Sequence, residues 1–171
     1  MTNVESAAID GSGNIGSWTI ETALPEGRYL HGGFAHNGFL YVSGGLASGP
    51  VTMDDVIRIA INPDGSLGAA WEEAKDNSGD TLPRKNHACV VNAGYVYVTG
   101  GTEGTDTVQS TVVYAPILEN GKIGTWVTAG NPFPTARDEH TAVVYDGSLY
   151  VIGGYDFPTV LDDIQYAPFD P

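Results

Sequence analysis

Three arginines, three histidines and one cysteine are the side chains of this 171-residue sequence best suited to chemistry. Arg28, Arg84 and Arg137 each stand three residues before a histidine, and those histidines, His31, His87 and His140, lie 56 and 53 residues apart. A ring of guanidinium groups could bind a carboxylate or phosphate through paired hydrogen bonds. The same recurrence also fits a framework role, in which each arginine locks one unit to the next by bonding backbone carbonyls. Histidines repeated about an axis could hold a metal. Histidines on an inner strand are more simply satisfied core residues, and no metal is expected. Cys89 follows His87 by two residues, so strand alternation puts both on one face, where a thiolate–imidazole pair or a two-ligand metal site is conceivable. The matching places in the other copies are Gly33 and Ala142. Side chains two apart on a strand stand roughly 6.5–7 Å apart. Cys89 therefore reads as a buried structural thiol. Asp64 and Asn120 sit among glycines in a way similar to calcium loops, but too few ligands accompany them, and plain hairpin turns are expected.

The elements that would position these groups are written three times. Residues 28–45 read RYLHGGFAHNGFLYVSGG, residues 84–101 read RKNHACVVNAGYVYVTGG and residues 137–154 read RDEHTAVVYDGSLYVIGG. Each copy has Arg-x-x-His, a strand-like run, a glycine turn, a second run containing Tyr-Val, and a closing Gly-Gly: Gly44 and Gly45, Gly100 and Gly101, Gly153 and Gly154. A fixed period slightly above fifty residues marks a repeat architecture. Between copies come a third strand and a tryptophan-bearing fourth, centred on Trp18, Trp71 and Trp126, with Ala8, Ala60, Ala115 and Ala167 read as corresponding places in the third strands. Within one unit, strands are expected at 87–92, 95–100, 109–117 and around Trp126. Alternation such as Val96 and Val98 against Tyr95 and Tyr97 sends side chains to opposite faces, and both faces carry apolar residues. Such a sheet must be covered on both sides, which radial packing of successive sheets achieves. No helical period competes.

The Arg-x-x-His start, the turns at Asn37-Gly38, Ala93-Gly94 and Asp146-Gly147, the Gly-Gly and the Trp strand together resemble the kelch repeat over nearly the whole chain. The GSGNIGSW, PDGSLGAAW and ENGKIGTW segments are especially similar to bacterial kelch-like proteins. The resemblance implies an all-β chain of four-stranded antiparallel β-propeller blades, with the strand after Arg-x-x-His innermost and usually six or seven blades to a ring. Here there are three: residues 28–75, 76–128 and 129–171, the last without its outer strand, preceded by the third and fourth strands of a partial blade at 1–27. Three blades fall short of the smallest common ring of about four. The expectation is therefore a homodimer, two half-rings joined head to tail into a six-bladed ring, each Trp18 strand completing the partner's last blade while residues 2–10 are displaced. The alternative is that the chain is a piece of a longer propeller.

In kelch propellers the loops joining second to third strands, and fourth to the next first, commonly share one binding face. Here they are residues 46–55, 102–107 and 155–162, with 21–27, 76–83 and 130–135, carrying Glu103, Asp106, Tyr155, Asp156 and Phe157. Aromatic rings beside carboxylates can grip a basic peptide or stack on a sugar. A non-catalytic module binding a protein or peptide is expected, with no cofactor. A carbohydrate-binding propeller, or a fragment of an enzyme such as a mutarotase or copper oxidase, is the alternative that the resemblance admits; copper oxidases crosslink a tyrosine to a cysteine, and Cys89 sits in a slot that is Gly or Ala elsewhere.

Composition sets the outer bounds. With 21 Asp plus Glu against seven Lys plus Arg, the formal charge of −14 disfavours nucleic acid and anionic membrane surfaces as partners. One cysteine leaves no intramolecular disulfide and does not decide the compartment. No apolar run approaches a spanning helix, and the first residues lack the pattern of a signal peptide, so the chain reads as soluble, either cytoplasmic or exported with a leader removed.

Overall fold

A computed structural model describes residues 2–76, 81–104 and 106–169. Residues 77–80 of the expected 76–83 loop, and Thr105 of the 102–107 loop, lie outside the described residues. In chain order the strands are β1 (Glu5–Ser6), β2 (Thr19–Ile20), β3 (Gly32–His36), β4 (Phe39–Ser43), β5 (Val56–Ala60), β6 (Glu72–Glu73), β7 (Ala88–Asn92), β8 (Tyr95–Thr99), β9 (Thr102–Glu103), β10 (Thr107–Val108), β11 (Val112–Pro116), β12 (Val127–Thr128), β13 (Thr141–Tyr145), β14 (Ser148–Asp156) and β15 (Thr159–Pro168). There is no helix among the described residues.

The sheets follow the repeat. One has the order β3-β4-β5-β6, the next β7-β8-β11-β12, the third β13-β14-β15, and β1 pairs with β2 alone. The first hairpin of each blade turns on a non-glycine residue and a glycine that both have positive φ: Asn37-Gly38, Ala93-Gly94 and Asp146-Gly147. That conformation matches the twist of the flanking strands and explains the turn residues in the sequence. Asp64 Oδ1 accepts from the Ser66 N–H at 3.0 Å and Asn120 Oδ1 from the Lys122 N–H at 2.9 Å, so both shape the outer hairpin turns.

Two details differ from the sequence reading. Ala8, Ala60 and Pro116 each accept a bond from the glycine that closes the outer hairpin (Gly16, Gly68 and Gly124), whereas Ala115 and Ala167 stand one residue earlier, opposite Val96 and Leu149. Ala8 and Ala60 are therefore one residue out of step with Ala115 and Ala167. Small side chains at neighbouring strand positions disguised the shift, since only bonding registers them. The 155–162 segment is also largely strand: the bulge between Ile152 and Gly154 lets β14 run on to Asp156 and β15 begin at Thr159, leaving Phe157 and Pro158 as the tip.

Successive blades pack face to face. Tyr41 and Val56 on the front of the first blade meet Val96 and Ala115 on the back of the second, with Ala74, Ile123 and Trp126 at the rim. Val112 and Tyr97 on the front of the second meet Leu149 and Val151 of the third, with Phe133 from the connecting loop. Tyr41 is fully buried, stacks on Phe34 with centroids 4.5 Å apart, and its hydroxyl donates to the Gly121 carbonyl of the following blade at 2.8 Å. The front of the third blade has no covering sheet among the described residues: Val143, Ile164 and Tyr166 are exposed there.

Candidate functional site

The repeated arginines are framework residues by placement. Arg28 donates to the Gly44 carbonyl at 3.2 Å and pairs with both oxygens of Asp55 at 2.6 and 2.9 Å. Arg137, whose relative exposure is 0%, donates to the Gly153 carbonyl at 2.8 Å and grips Asp163 at 2.8 and 3.1 Å. Arg84 donates to the Gly100 carbonyl at 2.9 Å, but has only Thr111 at 3.4 Å and Glu103 at 3.8 Å in place of the paired carboxylate. Burial lowers the Arg84 pKa, with Glu103 acting against it. The lock runs differently from the expectation. Each guanidinium bonds a carbonyl of its own blade, and it is the arginine's backbone carbonyl that joins blades, accepting from the Gly45 N–H (Arg84, 2.8 Å) and from the Gly101 N–H (Arg137, 2.9 Å).

The acidic partners Asp55 and Asp163 were missed from the sequence, yet they share one place, the residue just before or at the start of the third strand's apolar run, and Thr111 fills it in the middle copy. Thr111→Asp should restore the paired carboxylate to Arg84 and stabilise the protein by about 1 kcal/mol, read as a higher urea midpoint. A lower midpoint would mean that Arg84 is already satisfied.

The Gly-Gly pairs are required by close approach. Gly44, Gly45, Gly100 and Gly101 all have positive φ, and a β-carbon on Gly44 or Gly100 would run into the backbone carbonyl of Arg84 or Arg137 of the following blade. Gly153 and Gly154 share the conformation, and a β-carbon on Gly154 would stand 2.7 Å from the Asp138 carbonyl. Around the inner mouth the Asn86 N–H donates to the Leu30 carbonyl and the Glu139 N–H to the Asn86 carbonyl, at 2.9 and 3.0 Å. All three of these residues have positive φ without being glycine, which no sequence pattern signalled.

The histidines separate. His31 is exposed, while His87 and His140 are buried at the blade junctions. His140 Nε2 is 2.8 Å from Thr99 Oγ1 across the junction. At the matching junction Ser43 bonds the Cys89 thiol instead, and both ring nitrogens of His87 have no partner among the described contacts. Burial, helped by the nearby Arg84 charge, pushes His87 down to about 3; burial and Arg137 push His140 down to about 4. Both rings are therefore neutral in the fold and take up a proton near 6.5 once unfolded. Their contribution is complete above about pH 6.5 and is lost as the pH falls toward 4. Between about pH 7.5 and about pH 5, unfolding free energy should drop by roughly 2 kcal/mol per histidine. Asp163, held down to about 2 by its bond with Arg137, acts only at lower pH. Unfolding in urea at the two pH values checks this, and His140→Gln should remove its share of the slope; an unchanged slope would contradict it.

Cys89 is part-buried, and burial pushes its thiol up to about 12. Its sulfur and His87 Nε2 both approach Gly32, 2.5 and 2.6 Å from where a β-carbon there would sit. Among the described residues no group of three or more His, Cys, Asp and Glu converges as a metal site would require.

The loop residues gather at the Gly-Gly end of the strands. Residues 46–55 and the 21–27 loop enclose an open pocket of about 320 Å³ lined by Glu26, Val51, Met53, Asp54 and Asp55. Glu26, Val51, Met53 and Asp54 were not singled out in the sequence. Asp106 is highly exposed and pairs with Lys85 at 3.1 Å, while Glu103 leans toward Arg84. At the tip of the third blade Tyr155 and Phe157 meet edge to face at 6.1 Å, with Phe157 80% exposed and Asp156 between them. Tyr155 is tied down by two backbone bonds to Asp138, each 2.9 Å. Asp138 in turn accepts from Thr102 at 2.8 Å and Asn86 at 3.2 Å, which fixes this tip against the second blade.

Comparison with known proteins follows the same repeat. The Kelch motif family model matches residues 136–166. The chain is 30% identical over 138 residues to Ras guanine nucleotide exchange factor F of Dictyostelium discoideum, covering 81% of this chain and 12% of that protein. It is 26% identical over 142 residues to the leucine-zipper-like transcriptional regulator 1 homolog of Drosophila melanogaster (80% and 14%), and 28% identical over 134 residues to Kelch domain-containing protein 10 of Rattus norvegicus (75% and 31%). The chain spans less than a third of the length of each of these relatives.

Proposed function

The chain belongs to the kelch-repeat family, and we propose that its blades form a non-catalytic binding module whose loop face takes a protein or peptide ligand. Two observations carry this reading: an acidic and apolar pocket in the first blade (Glu26, Val51, Met53, Asp54) and, in the third, an anchored aromatic tip (Tyr155, Phe157), each in the loops that follow a Gly-Gly pair. Held aromatic rings supply contact area at small entropic cost, and carboxylates around them select for positive charge. The favoured ligand is therefore a basic peptide segment with an apolar or aromatic anchor. The repeated arginines hold the blades and are left out of the binding set, while Glu103, Asp106 and Asp156 supply charge. The working unit in this reading is a ring of two copies, six blades in all, because the exposed front of the third blade then finds a covering sheet.

Selection of a displayed random-peptide library on the immobilised protein, run beside a glycan array, tests the reading. Enrichment of Lys- or Arg-bearing peptides that is lost with Phe157→Ala or Asp54→Lys is the expected result. Binding of glycans alone would assign the aromatic tip to sugar recognition instead, and no enrichment in either format would overturn the binding role of this face.

A further inference from the structure

Three of the four arginines hold a carboxylate at close range: Arg28 with Asp55 at 2.6 Å, Arg58 with Glu72 at 3.0 Å and Arg137 with Asp163 at 2.8 Å. Arg84 is the exception. Its Nη1 donates to the Gly100 carbonyl at 2.9 Å and reaches Thr111 Oγ1 at 3.4 Å. Its Nη2, the atom that in Arg28 and Arg137 takes the second carboxylate oxygen, makes no hydrogen bond to a described residue. Thr111 holds the place of Asp55 by bonding as well as by spacing: the Gly44 N–H donates to the Asp55 carbonyl at 2.9 Å, and the Gly100 N–H to the Thr111 carbonyl at 3.0 Å. The exchange of acid for threonine takes the paired carboxylate from a guanidinium that is only 4% exposed. A buried cation without its acid is costly, and burial accordingly lowers the Arg84 pKa.

The side on which the acid stands faces water. Asp55 and Asp163, which take that place in the other copies, have side chains 22% and 44% exposed. Glu103 approaches the Arg84 guanidinium from β9 at 3.8 Å, beyond hydrogen-bond range, with its side chain half exposed. It offsets the charge without making the paired bonds. Lys85, the next cation along, is held by Asp106 at 3.1 Å. The formal charge of −14 repels anions at long range, so whatever binds here must be held by short, directed bonds.

We infer that Arg84 is a receptor for a carboxylate supplied from outside the chain, gripped through Nη1 and Nη2 as Arg28 grips Asp55. A carboxylate is favoured over a phosphate because the two complete copies use one and the place beside Thr111 is that of an aspartate head. The Thr111 hydroxyl, already beside Nη1, can donate to the same acid. To bind, the acid displaces Glu103, whose contact is the longest of the ion pairs that the arginines make. Two sources offer this chemistry, a free small organic acid and an acidic group on a peptide. The site adds to the framework bond between Arg84 and Gly100. It lies outside the binding set proposed above and does not rest on it.

The test follows the arginine Nε–H resonances of the isotope-labelled full chain by NMR at constant ionic strength. Sodium propionate serves as the free acid, and a short acetylated and amidated peptide with one aspartate as the peptide acid. The expected result is a saturable shift of Arg84 while Arg28, Arg58 and Arg137 stay in place. Thr111→Asp, which gives the middle copy an acid of its own, should weaken the response by about tenfold or more. Glu103→Gln removes the competing charge and should strengthen it. A shift with propionate, with the peptide or with both supports the site and identifies the source of the acid. No saturable shift of Arg84, or an equal shift in Thr111→Asp, would overturn it. So would a shift that appears only in Glu103→Gln, because Glu103 would then be the resident partner.

Discussion

Gly44→Ala should cost about 3 kcal/mol of stability or more, the largest effect expected from adding a single methyl group to this protein. Two terms combine. The residue has φ +57°, a conformation that costs an L-residue roughly 1–2 kcal/mol. The new β-carbon would also point into the Arg84 carbonyl of the second blade, the group that accepts the Gly45 N–H at 2.8 Å. Relieving the clash means moving the blades apart and losing that bond, and the neighbouring atom is backbone, which cannot swing aside. Gly38→Ala is the control: its φ is +79° and nothing lies within 4 Å, so it should cost only the conformational part, about 1 kcal/mol. Urea unfolding of the two variants checks the difference. Equal losses would mean that the blade junction does not depend on the closeness of the Gly-Gly corner. Because each blade contacts only its neighbours, Gly44→Ala should also make unfolding less cooperative.

Arg137→Leu should be comparably severe, at about 3 kcal/mol. The side chain is fully buried, and leucine would keep much of its apolar bulk while stranding the Gly153 carbonyl and uncoupling β15 from the start of the blade. Asp163→Asn should cost less, because its partner keeps the carbonyl bond and the site is open to water on that side. Thermal and chemical unfolding of both variants gives the comparison. If Arg137→Leu falls within 1 kcal/mol of the parent, the buried guanidinium is dispensable and the repeated arginines would return as candidates for ligand binding.

The strand framework was legible because the chain repeats it and because alternation within each run marks two apolar faces. Val96 and Val98 against Tyr95 and Tyr97 divide between back and front as that pattern implies. Details fixed by contacts between copies were less legible. The reading of Ala8, Ala60, Ala115 and Ala167 as equivalent slipped by one residue, since small residues at neighbouring positions look alike until hydrogen bonds register them. Arg28, Arg84 and Arg137 read from the sequence both as ligand-binding candidates and, from their recurrence, as framework residues, and their direction of bonding depended on Asp55 and Asp163, which no local motif marks and only comparison of the copies would have shown. The left-handed residues Leu30, Asn86 and Glu139 left no trace, because none is glycine. On the candidate face, Phe157 and Asp156 could be read from the sequence as differing between copies, whereas the pocket of Glu26, Met53 and Asp54 exists only once two distant loops meet.

The proposed working unit is a ring of two copies. Its most direct test is the solution mass, measured by light scattering across a dilution series. The account predicts a mass of about 36 kDa, twice the 18.0 kDa chain, falling toward one chain only on strong dilution. A constant mass of 18.0 kDa at every concentration would contradict it.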